Sequence, residues 1–341
     1  MGDHAYALCA AFPSTRETSD GRETGNPAAV VVVVDDDDDD RDADEDDFDF
    51  CRDDASTGDY QRVATSLNLS ETAFVRRGRE TAEDKDSGVV HYYIRWFTPL
   101  CEIGLCGHAS MASAATVLSK LDARAVRFTY AAGSLTISRD DEDEGRYIME
   151  MDASAPSAFE GCEDVVNEIR DAFETNRDAV VRGAKFTCTR NSIGDTFLLI
   201  EKTDEDDGKD DDGFRAIVQT YASRAPDLKR IARVGGRGVC VVIPSARGVK
   251  LSESSPDYAV RWFGPNVGID EDPVTGSACC GVTPLLSARR SDTDSFMFGE
   301  QLSARTGHLW SRMKPGDAGK VQVAGRVMFT GEGIARHPYT K

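Results

Sequence analysis

Residues 261–288 read RWFGPNVGIDEDPVTGSACCGVTPLLSA. The pattern predicts a short aromatic strand, an acidic turn closed by Pro273 and Gly276, and an almost uncharged helix. The first turn of a helix carries unpaired backbone N–H groups and the positive end of the helix dipole, so this helix start is a candidate anion site. Asp272 lies beside it as a candidate proton-transfer group, although an Asp before a Pro is also a common turn residue.

The same pattern occurs earlier in the chain. Three anchors recur at an offset of 166 to 169 residues, namely RWFTP at 95–99 and RWFGP at 261–265, GHA at 107–109 and GSA at 276–278, and GN at 25–26 and GD at 194–195. We infer two homologous halves, because internal self-similarity at a fixed offset is the signature of a repeated structural unit. In each half, strands lead through an aromatic-Pro corner into one apolar helix.

The predicted helix at 108–121 is small or apolar nearly all round, which is typical of a buried helix rather than an amphipathic one. A sheet wrapped around such a helix would bury every side of it. The sequence therefore predicts an α+β fold of two pseudo-symmetric halves, each a sheet barrel around one buried central helix. If the halves face each other, both helix starts point into one cleft, with His108 and Asp272 at equivalent positions.

The predicted halves are residues 1–127 and 128–325. Residues 326–341 form a tail strand that we expect to return to the N-terminal half. An acidic insertion at 35–54 contains fourteen Asp or Glu against Arg41 and Arg52. A block of like charge repels itself and stays solvated, so a loop is the expected structure, and the ligand order of an EF-hand calcium site is missing.

Composition excludes several classes of partner and cofactor. The net charge of −20 argues against nucleic acid and anionic membranes, which both favour basic surfaces. Nine scattered cysteines show no zinc-knuckle spacing, and no segment has the length of a signal peptide or a membrane span. A soluble protein of a reducing cytoplasm without a metal is expected. The chain also has no dinucleotide or phosphate-loop fingerprint, which favours chemistry without a cofactor.

Two polar residues of the first half are candidates for proton transfer. His108 follows a Gly at a helix start, where the dipole should lower its pKa, and a neutral imidazole can accept or donate a proton. Glu71 enters an apolar strand and is a candidate general base. Each residue also has a simpler interpretation: His108 could cap the helix or pack in the core, and Glu71 could be a surface residue of its strand.

Nucleophilic residues are weaker candidates. Ser277 lacks the Gly-x-Ser-x-Gly elbow and has no evident triad His in its half, so a hydrolase is disfavoured. Cys106 could act as a thiol acid/base near a helix start. Thr275 takes its place in the second half, so the pattern lacks paired thiols and favours core packing for Cys106.

Five motifs in order resemble the phenazine-biosynthesis PhzF-like family over nearly the whole chain. They are GNPA at 25–28, LSETAF at 69–74, RWFTP at 95–99, LCGHA at 105–109 and EDPVTGSA at 271–278. The resemblance implies the diaminopimelate-epimerase-like fold, in agreement with the repeat. Residues 100–101, Gly104 and Thr306 depart from the family's usual pattern, which leaves the substrate open.

The resemblance also implies roles for individual residues. Glu71 matches the family's acid/base, and His108, Asp272 and Ser277 match residues that bind substrate and assist proton transfer. Together with the helix starts, this adds Gly107, Gly276 and Thr275 as substrate-binding residues. Family members are often homodimers, so a homodimer is possible here.

The main functional hypothesis is a cofactor-independent isomerase that moves a proton on a small carboxylated metabolite. The N–H groups at Gly107–His108 and Gly276–Ser277 would bind a carboxylate or a developing oxyanion. A second hypothesis is a family member that binds small molecules or proteins without turnover. A serine hydrolase acting through Ser277 is the third.

Overall fold

The computed structural model describes residues 4–14, 23–33, 50–51, 56–174, 184–203, 211–245, 252 and 254–335. These residues belong to two compact units. Unit 1 comprises Met1–Pro13, Gly25–Glu150 and Ala324–Lys341, and unit 2 comprises Ser14–Thr24 and Met151–Val323. The predicted boundary at 127/128 differs from this division, because the two strands after residue 127 stay paired with the sheet of unit 1.

Unit 1 is built from strands with three helices between them. The strands are β1 (His4–Ala11), β2 (Asn26–Val33), β3 (Glu71–Arg77), β4 (Val89–Phe97), β5 (Glu102–Ile103), β6 (Ala125–Tyr130), β7 (Gly133–Arg139) and β8 (Arg146–Asp152). The helices are α1 (Thr57–Leu67), α2 (Ala82–Ser87) and α3 (Gly107–Leu118). A capping box between Thr81 and Asp84 stabilises the start of α2.

Unit 2 is likewise built from strands with helices between them. Its strands are β9 (Ala184–Arg190), β10 (Asp195–Lys202), β11 (Gly238–Pro244), β12 (Tyr258–Phe263), β13 (Met297–Gln301), β14 (Gly307–Lys314) and the first part of β15 (Asp317–Ala335). Its helices are α4 (Cys162–Phe173), α5 (Asp211–Ser223), α6 (Leu228–Arg233) and α7 (Cys279–Ser287). Short 3-10 turns occupy Pro265–Val267 and Gly276–Ala278.

The sheet of unit 1 closes into a barrel. Its strand order is β1-β2-β3-β4-β6-β7-β8-β15, and β15 pairs antiparallel with β1. Every residue of α3 is buried, as the apolar pattern predicts. In unit 2 the sheet order is β14-β13-β12-β11-β10-β9, and a Cβ at Gly281 of the mostly buried α7 would lie 2.2 Å from the Phe197 ring of β10. The predicted α+β fold with a central helix in each half is confirmed.

The repeated aromatic-Pro corner has the same construction in both units. Arg95 donates from Nε and Nη2 to Glu102 at 2.8 Å each, and Arg261 does the same to Glu271 at 2.7 and 2.9 Å. Both guanidinium groups also lie over a Phe ring two residues later, at 5.2 Å over Phe97 and 4.8 Å over Phe263. The repeat in the sequence therefore encodes a bidentate ion pair that fixes the corner before each central helix.

Most of the acidic insertion at 35–54 lies outside the described residues, and so does its predicted loop structure. Phe50 and Cys51 are described, and both are buried at 2% and 3% exposure. Phe50 packs with Tyr60 and Tyr93. The end of the insertion therefore adds to the core of unit 1.

All nine cysteines are free thiols, and seven of them are buried. No helix in the described part of the chain combines the length and the apolar character that crossing a bilayer requires.

Candidate functional site

Glu71 and His108 meet at one end of the barrel of unit 1. Glu71 is the first residue of β3, and His108 is the second residue of the buried helix α3. Glu71 Oε2 lies 3.0 Å from His108 Nε2, and each residue is only 6% exposed. The two atoms are not aligned for a hydrogen bond, and neither has another hydrogen-bond partner. Buried polar atoms without partners are rare and costly, so this pair is a candidate site for a bound ligand.

Two neighbours hold the His108 ring. Asn26 Nδ2 lies 3.1 Å from His108 Nδ1, and Ser70 donates to Asn26 Oδ1 at 3.3 Å, which orients the amide. Cys106 Sγ lies 3.4 Å from the same ring nitrogen. Since β2 and β3 run parallel and Ala28 is opposite Glu71, Asn26 and Glu71 lie at the same end of the sheet. Cys106 therefore contacts the candidate pair as well as packing in the core.

The electrostatics of the pair reverse one prediction. Burial alone would lower the pKa of His108, but the contact with Cys106 and the attraction of the Glu71 carboxylate raise it well above its usual value. The predicted lowering by the helix dipole is wrong, because the dipole argument leaves out the carboxylate supplied by another strand. Burial and the Glu71 charge raise the pKa of the Cys106 thiol, despite the opposing effect of His108.

We expect the pKa of the His108 imidazole to lie above the usual value of about 6.5. The charged form then contributes stability that is fully present below about pH 6.5, the pKa of the unfolded state, and is lost as the pH rises through the pKa of the folded state. Long-range ¹H–¹⁵N NMR reads this midpoint directly, and Glu71→Gln should lower it by removing the attracting charge. A wild-type midpoint at or below 6.5, or one that Glu71→Gln leaves in place, would contradict the pairing.

The donor atoms of Glu71, Cys106 and His108 all lie within 4.8 Å of one another. Among the described residues of unit 1, these three form the group that could hold a metal ion. However, Cys106 faces Nδ1 of the ring and Glu71 faces Nε2. One ion binds an imidazole through one nitrogen, so a three-ligand site would require the ring to turn. The arrangement fits proton transfer better than metal binding, and the absence of a metal stays a prediction.

The second set of predicted residues lies together in unit 2. Thr275 Oγ1 donates to Asp272 Oδ2 at 2.5 Å. Gln301 is fully buried and holds this loop: its Oε1 accepts from the Thr275 N–H at 2.8 Å, and its Nε2 donates to the Asp272 carbonyl at 2.6 Å. The Thr275 hydroxyl is therefore occupied within the loop. Gly276 is buried and begins the 3-10 turn that precedes α7.

Ser277 contacts a residue that the sequence did not suggest. Arg237 donates to Ser277 Oγ from Nη1 at 3.2 Å and from Nη2 at 3.3 Å. The same guanidinium binds Asp195, which is fully buried, at 2.9 and 2.5 Å. Among the described residues, the hydrogen bonds of Ser277 Oγ are those from Arg237, so unit 2 provides no His base for a serine nucleophile.

Arg237 is placed by a glycine-rich turn. Gly236 has a φ of +75°, and a Cβ there would lie 2.3 Å from the carbonyl oxygen of Gly194. This contact brings the Arg237 N–H to the same oxygen at 2.7 Å. The sequence GGRG at 235–238 was the available signal for this residue, because adjacent glycines mark a close backbone approach.

We expect Gly236→Ala to destabilise the protein more than Gly268→Ala does. Both glycines have positive φ, but nothing lies within 4 Å of a Cβ at Gly268. The control should lose about 1–2 kcal/mol for the backbone conformation, and Gly236→Ala roughly 1–3 kcal/mol more for the clash with backbone. Chemical denaturation of both variants measures the difference, and equal losses would show that the close approach to Gly194 is not needed.

Comparison with known proteins identifies a family and relatives that match most of the chain. The sequence profile of the phenazine biosynthesis-like protein family, PhzC-PhzF, matches residues 19–335. An uncharacterized isomerase of Pseudomonas aeruginosa is 32% identical over 278 residues, which is 81% of this chain and 86% of that protein. The phenazine biosynthesis-like domain-containing protein 1 of Mus musculus is 29% identical over 277 residues, covering 80% and 87%.

Solved structures match over nearly the whole chain. A PhzF-family phenazine biosynthesis protein from Enterococcus faecalis has a TM-score of 0.67 at 24% identity, over 98% of this chain and 100% of that one. A hydroxyproline epimerase from Agrobacterium vitis, solved with trans-4-hydroxy-L-proline, has a TM-score of 0.51 at 10% identity, over 99% and 95%. At these identities, the likeness shows a shared fold.

Proposed function

Because the chain belongs to the phenazine biosynthesis-like (PhzC-PhzF) family, we propose that it is an isomerase that moves a proton on a small carboxylated substrate without a cofactor. The name of the Pseudomonas relative and the epimerase among the fold neighbours support a general isomerase role. The observation that carries the proposal is the buried pair of Glu71 Oε2 and His108 Nε2, 3.0 Å apart and without aligned partners.

Glu71 is the proposed base. It removes a proton from a carbon that an adjacent carbonyl or unsaturated group activates, and it can return the proton to a second carbon. His108 lies next to the same carboxylate oxygen and can take up or supply the proton during this exchange. Its contacts with Asn26 and Cys106 keep the ring in position.

Backbone and loop groups are the proposed substrate ligands. The first N–H groups of α3, at Gly107 and His108, have no partners within the helix and can bind a carboxylate or an oxyanion. In unit 2, we assign substrate binding to Gly276 and Ser277. Asp272 is the proposed third acid/base residue, and Thr275 fixes its carboxylate through the 2.5 Å hydrogen bond.

Solvent exchange tests this function. The protein is incubated in D₂O with a panel of small 2-amino acids, 2-hydroxy acids and unsaturated carboxylates, and ¹H NMR follows each C–H signal. We expect one carbon-bound proton of at least one compound to be replaced by deuterium. Binding of panel members without any exchange would contradict the isomerase and favour the non-catalytic alternative.

A further inference from the structure

The guanidinium of Arg237 forms an ion pair with the buried carboxylate of Asp195. Asp195 is fully buried and accepts two hydrogen bonds from Arg237, at 2.9 and 2.5 Å, and a third from Trp262 Nε1 at 3.2 Å. The Trp262 ring also lies 5.1 Å from the guanidinium carbon. An arginine with a bidentate partner and an aromatic neighbour has one orientation, because its planar fork is rigid.

The positive end of this ion pair faces Ser277. Arg237 donates two N–H groups to Ser277 Oγ, at 3.2 and 3.3 Å. A hydroxyl oxygen has two lone pairs and one hydrogen, so these two bonds use its accepting capacity. The Ser277 O–H has no acceptor among the described residues. Ser277 is also partly exposed, so its hydroxyl hydrogen is available to a ligand.

We propose that Arg237 is a positioning residue that fixes the Ser277 hydroxyl as a hydrogen-bond donor to the substrate's carboxylate. The inference rests on the proposed function and extends it to the group that selects the anionic substrate. Arg237 itself is neutralised by Asp195, so the anion is bound through the oriented O–H. The positive end of the ion pair makes this donor favour an anionic acceptor over a neutral one.

The variants must separate positioning from folding. Ser277→Ala removes the donor and leaves the ion pair intact. Asp195→Asn/Arg237→Met removes both charges, so no unpaired buried charge is left. Arg237→Lys keeps a positive charge for Asp195 but loses the planar fork that reaches Ser277. Arg289→Met is the control, since Arg289 is 42% exposed and pairs at 3.6 Å with Glu201 elsewhere in unit 2.

Benzoate and benzamide serve as probes, because they differ in charge at nearly the same shape. Ligand-observed NMR titrations give the ratio of their affinities for each variant. We expect wild type to favour benzoate by about tenfold or more, the range of a hydrogen bond to a charged group. Ser277→Ala, Arg237→Lys and the Asp195/Arg237 double variant should lose this preference, and Arg289→Met should keep it.

Several results would overturn the inference. Equal affinity of wild type for both probes would remove the carboxylate assignment. A full preference in Arg237→Lys and in the folded double variant would remove Arg237 from the recognition. A preference that depends on Ser277 and Arg237 without exchange of any metabolite rejects the isomerase and retains this inference.

Discussion

Glu71→Gln and His108→Gln should each slow isomerisation by about 10²- to 10⁴-fold, the contribution of a positioned general acid or base. Glutamine keeps the size of the Glu71 side chain but cannot accept the proton. In the proposed mechanism the two residues act on the same proton, since their facing atoms are 3.0 Å apart. The double variant should therefore lose little more than the worse single variant, as residues that act as a unit are non-additive.

The control for this comparison is Glu83→Gln, which changes an exposed carboxylate on α2 of the same unit. It should have the wild-type rate. Initial rates with the substrate found in the exchange panel give the comparison, and circular dichroism confirms that each variant is folded. If the losses of the two single variants multiply in the double variant, Glu71 and His108 act independently and the shared proton is wrong.

Arg237→Met should destabilise unit 2 by about 3 kcal/mol, because it leaves the Asp195 carboxylate buried and without its cation. Asp195 is fully buried, whereas the Arg237 side chain is 31% exposed, so the cost is at the lower end for a broken buried pair. The Asp195→Asn/Arg237→Met variant should be more stable than Arg237→Met alone, since it has no unpaired charge.

Urea denaturation of the two variants beside Arg289→Met measures these free energies of unfolding. The control removes an exposed arginine and should change stability by less than about 0.5 kcal/mol. Equal stability of Arg237→Met and wild type would show that water satisfies Asp195. A double variant less stable than Arg237→Met would show that the carboxylate has another essential partner.

The fold could be predicted from the sequence because the repeated residues are the ones that form its stabilising contacts. Both RWF-x-Pro corners contain the arginine that forms a bidentate pair, and both lead into a helix without a polar face. The sequence also singled out Glu71 and His108, which the structure places in contact. These features are local in the chain or repeated, so they are visible without coordinates.

The remaining features depend on contacts between distant segments. Arg237 is held by Asp195 and Trp262 and reaches Ser277, and these four residues come from four separate segments. The direction of the His108 pKa shift follows from Glu71 on another strand, which a helix-dipole argument does not include. Asn26 was identified only as part of the repeat and of the GNPA motif, and its contact with His108 joins a strand to a helix that lies far along the chain.

In the proposed function the Glu71 carboxylate moves a carbon-bound proton, so the fate of that proton is the decisive measurement. Wild type, Glu71→Gln and Glu83→Gln are incubated at equal concentration in D₂O with the exchanging substrate, and ¹H NMR follows the C–H signal. We expect loss of this signal with wild type and Glu83→Gln, and its persistence with folded Glu71→Gln. Exchange by Glu71→Gln at the wild-type rate would contradict this role of Glu71.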